Sequence, residues 1–455
     1  MASVSGVRGI VGSSLTPEVV ARFAGAFAGW LIEGGGSGGA VVLGRDGRRG
    51  GEVVAQVAAG SLRAAGLRVI DLGVAMTATV GLMTRHHRAL GGLVLTASHN
   101  PAEWNGLKPI TGEGSAPAPE DAAAILGRFH AGDAAWACAD HLGDIDADDT
   151  AAHNHVATVL EAIERVTPVS EIANRRFRVA LDSVNASGSL AGPMLLEALG
   201  CSVERVACDG SGVFPHTPEP TEANLRSLCE AARGSDVDVA FAQDPDADRL
   251  AIVDERGRYI GEELTLALAA RALLAGRSAA VVAANLSTSR MIDDVASELG
   301  FAVVRTPVGE ANVVAAMRGR DAALGGEGNG GVIWPEVVHV RDSLGAMALT
   351  LALMTREGTP LSGIVAALPS YAIVKRKAPV REGLAERAYA ALKERFSGGR
   401  FDEQDGLRVD LDDPPSWVHV RPSNTEPILR VIAEAPTQQD AERLADEAER
   451  VIASG

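Results

Sequence analysis

The chain has 455 residues, 46% apolar and 22% charged, with 42 basic against 59 acidic residues and a net charge of −17. That length holds about three or four domains, and the composition is that of a globular protein with several buried cores, so disorder and fibrous repeats are ruled out. The acidity argues against a nucleic-acid binder, whose affinity comes from cations displacing condensed counterions, but leaves room for local basic pockets that hold a small anion.

No stretch reaches the roughly 20 apolar residues that a membrane helix needs. The start, Met1 to Gly6, lacks a basic region followed by an apolar core, so no signal peptide is expected. The four cysteines, Cys138, Cys201, Cys208 and Cys229, show no C-x-x-C spacing. They read as mostly buried thiols of a cytoplasmic protein, without structural zinc or a disulfide framework.

Three segments share one plan: an apolar strand ending in a polar loop, a helical stretch, and a glycine opening a second strand. They begin at Val41-Val42-Leu43, Val179-Ala180-Leu181 and Val281-Val282-Ala283, and their glycines, Gly66, Gly200 and Gly300, follow after 25, 21 and 19 residues. This is the strand–helix–strand crossover, with glycine relieving left-handed strain at the helix end. The near-continuous apolar strands predict sheets covered on both faces. After about residue 370 the pattern changes: Leu407–Leu411 alternates, Trp417–Val420 and Ile428–Ala433 read as strands, and Gln438–Ile452 as a helix. The expectation is an α/β protein: three tandem similar α/β domains with mixed sheets plus a smaller C-terminal α+β domain, around a central cleft. Their expected extents are 1–155, 156–258, 259–370 and 371–455. The acidic run Asp144 to Asp149 reads as a solvated stretch before a helix.

Four loops carry candidate chemistry. Thr96-Ala97-Ser98-His99-Asn100-Pro101 follows the strand Leu93-Val94-Leu95, with Lys108 ten residues beyond Ser98. Ligands bind at such carboxyl strand edges. Asp244-Pro245-Asp246-Ala247-Asp248-Arg249 places three carboxylates at alternate positions. Their repulsion calls for a hard cation, Mg²⁺ or Ca²⁺. An EF-hand does not fit, because Arg249 stands where its turn requires glycine and Leu250 to Val253 continues as a strand. Gly325 to Gly331 is a glycine-rich loop around Glu327 and Asn329, acceptors suited to sugar hydroxyls rather than to phosphate. In Arg421-Pro422-Ser423-Asn424-Thr425, a guanidinium, two hydroxyls and loop N–H groups suit a dianionic phosphate.

With Gly6-Val7-Arg8-Gly9, Asp182-Ser183-Val184-Asn185 and Phe214 to Pro220, these loops resemble, in order and over nearly the whole chain, the motifs of the α-D-phosphohexomutases. The resemblance implies that Ser98 is phosphorylated in the active enzyme. Its phosphate would complete the shell of a Mg²⁺ held by Asp244, Asp246 and Asp248. Arg249 would neutralise the transferring group, and Lys108, Arg8 and His99 would handle proton and charge at the sugar oxygen. Glu327 and Asn329, with the Thr306 to Gly309 loop, would select the sugar. Arg421, Ser423, Asn424 and Thr425 would grip the non-reacting phosphate. The implied reaction interconverts hexose 6-phosphate and hexose 1-phosphate through a phosphoserine and a 1,6-bisphosphate that also serves as activator. The small-molecule partner would be glucosamine phosphate, with mannose and glucose phosphates as alternatives, and the protein a monomer or homodimer. A sugar-phosphate-binding protein without catalysis is the reading from another class; intact Ser98, Lys108 and aspartates count against it.

Two departures touch the sugar side. Relatives commonly carry a basic residue where Gly331 stands, so its role is expected to fall on Lys108 or Arg8, with His339 a poor substitute. The loop ending Gly309-Glu310-Ala311 also lacks a basic residue after the acidic one. His86, His87, His153 and His155 are expected at the surface, and Trp334 in the core or lining the cleft.

Overall fold

The computed structural model describes residues 2–3, 5–36, 38–277, 280–379, 384–423 and 428–454. Asn424 and Thr425 of the expected phosphate loop lie outside them.

Each of the three repeats forms a sheet with one strand order. The two strands of the crossover lie side by side and parallel, a third parallel strand joins on the far side of the first, and a hairpin adds an antiparallel fourth. In sequence order these strands are Ala40–Arg45, Arg68–Val74, Gly91–Leu95 and Trp104–Thr111 in the first sheet. In the second they are Arg178–Asp182, Ser202–Ala207, Val239–Gln243 and Leu250–Asp254, and in the third Val281–Asn285, Ala302–Thr306, Leu324–Glu327 and Gly331–Ile333. The first sheet grows at both ends, by Gly6–Ile10 beside the hairpin and by Ile145–Ala147 beside Arg68–Val74. The crossover glycines adopt the expected left-handed conformation, with φ of 85° at Gly66, 79° at Gly200 and 81° at Gly300.

Strands Gly91–Leu95, Val239–Gln243 and Leu250–Asp254 are buried along their whole length. One apolar core runs through all three repeats, joining Val94, Phe241, Leu324 and Leu349. Helix Ser343–Glu357 is buried from Ser343 to Met354, so it is apolar on every side and fills the space between domains. Each fully buried leucine there contributes about 1.5–3 kcal/mol. Asp342 caps this helix by accepting from the N–H groups of Leu344 and Gly345. Trp334 is core.

The C-terminal region has its own core and a five-stranded antiparallel sheet, in the order Ala372–Pro379, Ile428–Ala435, Pro415–Pro422, Leu407–Asp412 and Arg400–Asp402. Helix Gln438–Ser454 packs on it.

One expectation changes. His155 is fully buried, not at the surface: its Nδ1 pairs with Thr79 Oγ1 at 2.9 Å and its Nε2 with Asp342 Oδ2 at 3.2 Å. Helix Ala151–Glu164 turns this residue inward and His153 outward, since positions two apart face opposite ways. The acidic run is largely exposed and precedes helix Ala151–Glu164, as expected, and part of it forms an edge strand, Ile145–Ala147, whose charge discourages further pairing. Asp148 there accepts from the N–H of Thr150 at the next helix start and pairs with His87 at 2.8 Å.

Candidate active site

Three of the four candidate loops occupy one topological position, the hairpin between the third and fourth strands of each of the three repeat sheets. Each contains a residue in the left-handed region: Ser98 at φ 50°, Ala247 at 52° and Gly330 at 82°. For Ser98 and Ala247 such a conformation costs about 1–3 kcal/mol and persists only where surrounding bonds over-determine it.

At the serine loop those bonds come from Asp46 and Arg48. Arg48, 2% exposed, donates through Nε to Asp46 Oδ2 at 2.8 Å, through Nη1 to Trp104 O at 2.8 Å and through Nη2 to Ser98 O at 2.5 Å. Thr96 Oγ1 donates to Asp46 Oδ2 at 2.6 Å and accepts from Ser98 N–H at 2.7 Å. The side chain of Ser98 is left to donate to Asp244 Oδ2 at 2.9 Å, with His99 Nδ1 at 3.2 Å. Sequence reasoning missed Arg48; the signal was a polar Asp-Gly-Arg turn at the carboxyl end of the first strand.

Asp244, Asp246 and Asp248 are fully buried, and their carboxylate oxygens lie within 4.8 Å of one another. Burial and the neighbouring Asp246 and Asp248 push the Asp244 carboxyl well above its ordinary range. Asp248 also suffers burial, but Arg341, Lys108 and Arg249 outweigh it and hold this carboxyl low. Lys108 Nζ donates to Asp248 at 3.1 Å and lies 3.7 Å from Glu310. Burial disfavours its charge, yet Glu310, Asp248 and Asp246 raise its pKa, so it stays an ammonium. His99 is pushed down to about 2, first by burial and then by Arg249 and Arg8, so its imidazole is neutral. Arg8 Nη1 reaches Asn100 Oδ1 at 3.5 Å. Arg249 donates its N–H to Asp244 Oδ1 at 3.1 Å, while its Nε is buried with no hydrogen-bond partner among the described residues.

The donor set fits a divalent cation. Three hard oxygens converge, and Asp246 Oδ1 and Asp248 Oδ1 are buried without a hydrogen-bond partner, an arrangement that a metal ion satisfies.

Both oxygens of Glu327 accept hydrogen bonds: Oε1 from Asn285 Nδ2 at 2.8 Å and from Gly309 N–H at 3.2 Å, and Oε2 from Asn329 Nδ2 at 3.4 Å. Thr306 turns its hydroxyl to Pro307 O, within its own turn. The sequence reading also missed Arg341. Its guanidinium donates to Glu327 Oε2 at 2.7 Å, Glu310 Oε2 at 2.8 Å and Asp248 Oδ2 at 2.6 Å. The glycine-rich loop therefore does have a cation beside it. It comes from the loop before helix Ser343–Glu357, too far along the chain for motif spacing to reveal. His339, considered as a substitute, has Arg318, Arg85 and Glu113 as its charged neighbours and is not part of this cluster.

In the C-terminal region Arg421 Nε donates to Asp405 Oδ2 at 2.7 Å, and the same oxygen accepts from Val308 N–H at 3.0 Å. The expected phosphate cradle is thus connected to the Thr306 to Gly309 loop. Ser423 sits beyond Arg421, its N–H bonded to Ile428 O across the hairpin.

Comparison with known proteins accords with this architecture. Four family descriptions match in succession: "Phosphoglucomutase/phosphomannomutase, alpha/beta/alpha domain I" over residues 2–136, domain II over 155–257, domain III over 261–371, and the C-terminal domain over 373–451. A probable phosphoglucosamine mutase of Methanopyrus kandleri is 35% identical over 446 residues, covering 97% of this chain and 95% of the relative. A phosphoglucomutase/phosphomannomutase of Thermococcus kodakarensis is 36% identical over 439 residues, covering 96% and 94%. Among solved structures, a phosphoglucomutase/phosphomannomutase family protein of Burkholderia thailandensis superimposes with a TM-score of 0.87 at 26% identity, covering 99% of this chain and 96% of that one.

Proposed function

The chain belongs to the phosphoglucomutase/phosphomannomutase family, and from that premise we propose that it is an isomerase moving a phosphoryl group between O6 and O1 of glucosamine phosphate, through phosphorylated Ser98 and a hexose 1,6-bisphosphate. One observation carries the assignment of roles: Ser98 Oγ, from the first domain, lies 2.9 Å from Asp244 in the acidic loop of the second. A nucleophile bonded to a metal-binding carboxylate is an arrangement for phosphoryl transfer.

In the forward half-reaction the bond from phosphorus to Ser98 Oγ breaks and a bond from phosphorus to the sugar hydroxyl oxygen forms, while the sugar hydroxyl gives up its proton and the leaving Ser98 oxygen takes one up. A loose transition state asks for positioning and positive charge more than for a strong base. Lys108 and Arg8 supply that charge at the reacting oxygens. Arg249, whose Nε makes no hydrogen bond among the described residues, supplies a donor to the phosphoryl oxygens. His99, being neutral, contributes a hydrogen bond without adding charge and is no proton source near neutrality. Asp244, Asp246 and Asp248 would hold Mg²⁺, which supplies charge neutralisation at the transferring group. Glu327 and Asn329 orient the sugar, and Arg421 and Ser423 take its other phosphate, the bond to Asp405 giving way. The bisphosphate then reverses in place and returns the second phosphoryl group to Ser98.

The glucosamine assignment is supported by the relative from M. kandleri, a probable phosphoglucosamine mutase; mannose and glucose phosphates are the competitors. The test is ³¹P NMR with Mg²⁺ and a trace of hexose 1,6-bisphosphate, offering glucosamine, mannose and glucose 6-phosphates separately. A 1-phosphate signal that grows fastest from glucosamine and is lost in Ser98→Ala is expected. Sugars that bind but stay unchanged would overturn the reading in favour of a binding protein.

A further inference from the structure

The side chain of Arg341 lies directly against Gly331. A Cβ placed on Gly331 would stand 2.3 Å from Arg341 Cδ and 3.0 Å from Cγ, with Asn329 Oδ1 next at 3.0 Å. All three are side-chain atoms, and Gly331 is outside the left-handed region that favours glycine. Its strand, Gly331–Ile333, pairs regularly with Leu324–Glu327. The backbone therefore tolerates a side chain at 331, and what excludes one is Arg341.

That arginine gives each of three carboxylates one N–H: Asp248 of the acidic triad, Glu310 at the start of helix Glu310–Arg320, and Glu327 in the glycine-rich loop. Only a guanidinium makes such a set, because its donors are fixed in one plane and its charge is permanent. A lysine would reach one or two of the three. The arginine side chain is 11% exposed, so these bonds are only weakly screened by solvent.

We propose that Arg341 is the sugar-selecting cation of this enzyme: a positioning residue that fills the volume a side chain at position 331 would need, aims the Glu327 carboxylate, and ties the sugar loop to the metal loop. Gly331 and Arg341 act as one unit, so selectivity among hexose phosphates follows the pair rather than either residue. The inference rests on the mutase reading for the nature of the ligand.

The test compares Arg341→Lys, Arg341→Ala, Gly331→His and the double variant Gly331→His/Arg341→Ala with the unaltered protein. For each, kcat and KM are measured on glucosamine, mannose and glucose 6-phosphates with Mg²⁺. Binding of glucosamine 6-phosphate is measured by calorimetry, and folding by the thermal midpoint. Arg341→Lys is expected to fold, to lose about 10–100-fold in kcat/KM, chiefly through KM, and to change the ranking of the sugars, as loss of charge-assisted hydrogen bonds implies. Gly331→His is expected to lose as much, because the imidazole collides with the arginine stem. The double variant is expected to exceed Gly331→His at least tenfold, the coupling that contacting residues show. The inference is overturned if the double variant shows only the product of the two single losses, or if Arg341→Lys keeps both affinity and ranking. Should Arg341→Ala and the double variant not fold, Arg341→Lys alone decides. If the unaltered protein binds the sugar phosphates but isomerises none, the mutase reading fails, and the binding measurements still decide the role of Arg341.

Discussion

The serine loop of the first domain and the glycine-rich loop of the third leave their sheets at the same place, yet they are held differently. The serine loop is clamped within its own domain: Arg48 ties Asp46 to the carbonyls of Ser98 and Trp104. The clamp on the glycine-rich loop reaches outward, through Arg341 to Asp248 of the second domain and through Glu310 to Lys108 of the first. The difference is instructive. In the proposed mechanism the nucleophile needs one fixed position whatever the ligand, which local support provides. A loop proposed to read sugar hydroxyls gains from being coupled to the acidic loop, because the sugar would then be sensed where the phosphoryl group moves.

The acidic loop that both clamps serve should show the largest effects. Asp246→Asn is expected to cost about a thousandfold in kcat, since electrostatic stabilisation is the main contribution to phosphoryl transfer. It should also stabilise the metal-free protein by about 1–2 kcal/mol, by relieving repulsion among three buried carboxylates. Thermal midpoints with and without Mg²⁺ check this: the unaltered protein should gain from the metal and the variant should not. A metal-free variant less stable than the parent would contradict the repulsion argument.

The clamps themselves should differ in size. Arg48→Ala leaves Asp46 buried without its cation, a loss of about 3–5 kcal/mol. Asn285→Ala, which removes one hydrogen bond from Glu327, should cost about 1–2 kcal/mol and act mostly on KM. Urea unfolding of both variants, read beside their kinetics, measures the contrast; equal costs would mean that the two loops are supported alike.

A third effect concerns the contact between the third domain and the C-terminal region, where His419 Nδ1 pairs with Ser287 Oγ at 3.0 Å. Burial lowers the pKa of His419 from 6.5 to about 4, only partly opposed by Asp405. Between those values the unfolded chain binds a proton that the folded one does not. This contribution to stability is therefore complete above pH 6.5, declines as pH falls, and is gone by about pH 4, amounting to at most about 3 kcal/mol. Denaturant midpoints from pH 7 to 4 should fall more steeply in the unaltered protein than in His419→Asn. The smallest effect lies far from either clamp: Gly300→Ala has open space but a φ of 81°, and about 1 kcal/mol of lost stability is expected from urea titration.

Much of this protein was legible in the order of its residues. Runs such as Val179 to Leu181, closed by glycine at the helix end, dictate a crossover through local sterics and burial alone. Three such runs announced three alike domains. The alternation of Asp244, Asp246 and Asp248 was legible as well, because like charges packed into six residues demand compensation wherever the loop ends up. The site's supporting cations were not. Arg48 and Arg341 act on carbonyls and carboxylates up to 56 and 93 residues away in the chain, and nothing in a local window marks them out from surface arginines. His155 was misread for the same reason: its burial depends on Asp342, 187 residues on. Short-range sterics and charge set which elements form and which loops carry chemistry. Which buried charge meets which is fixed only when the sheets pack, because the cost of an uncompensated ion is felt in the assembled interior and not in the extended chain.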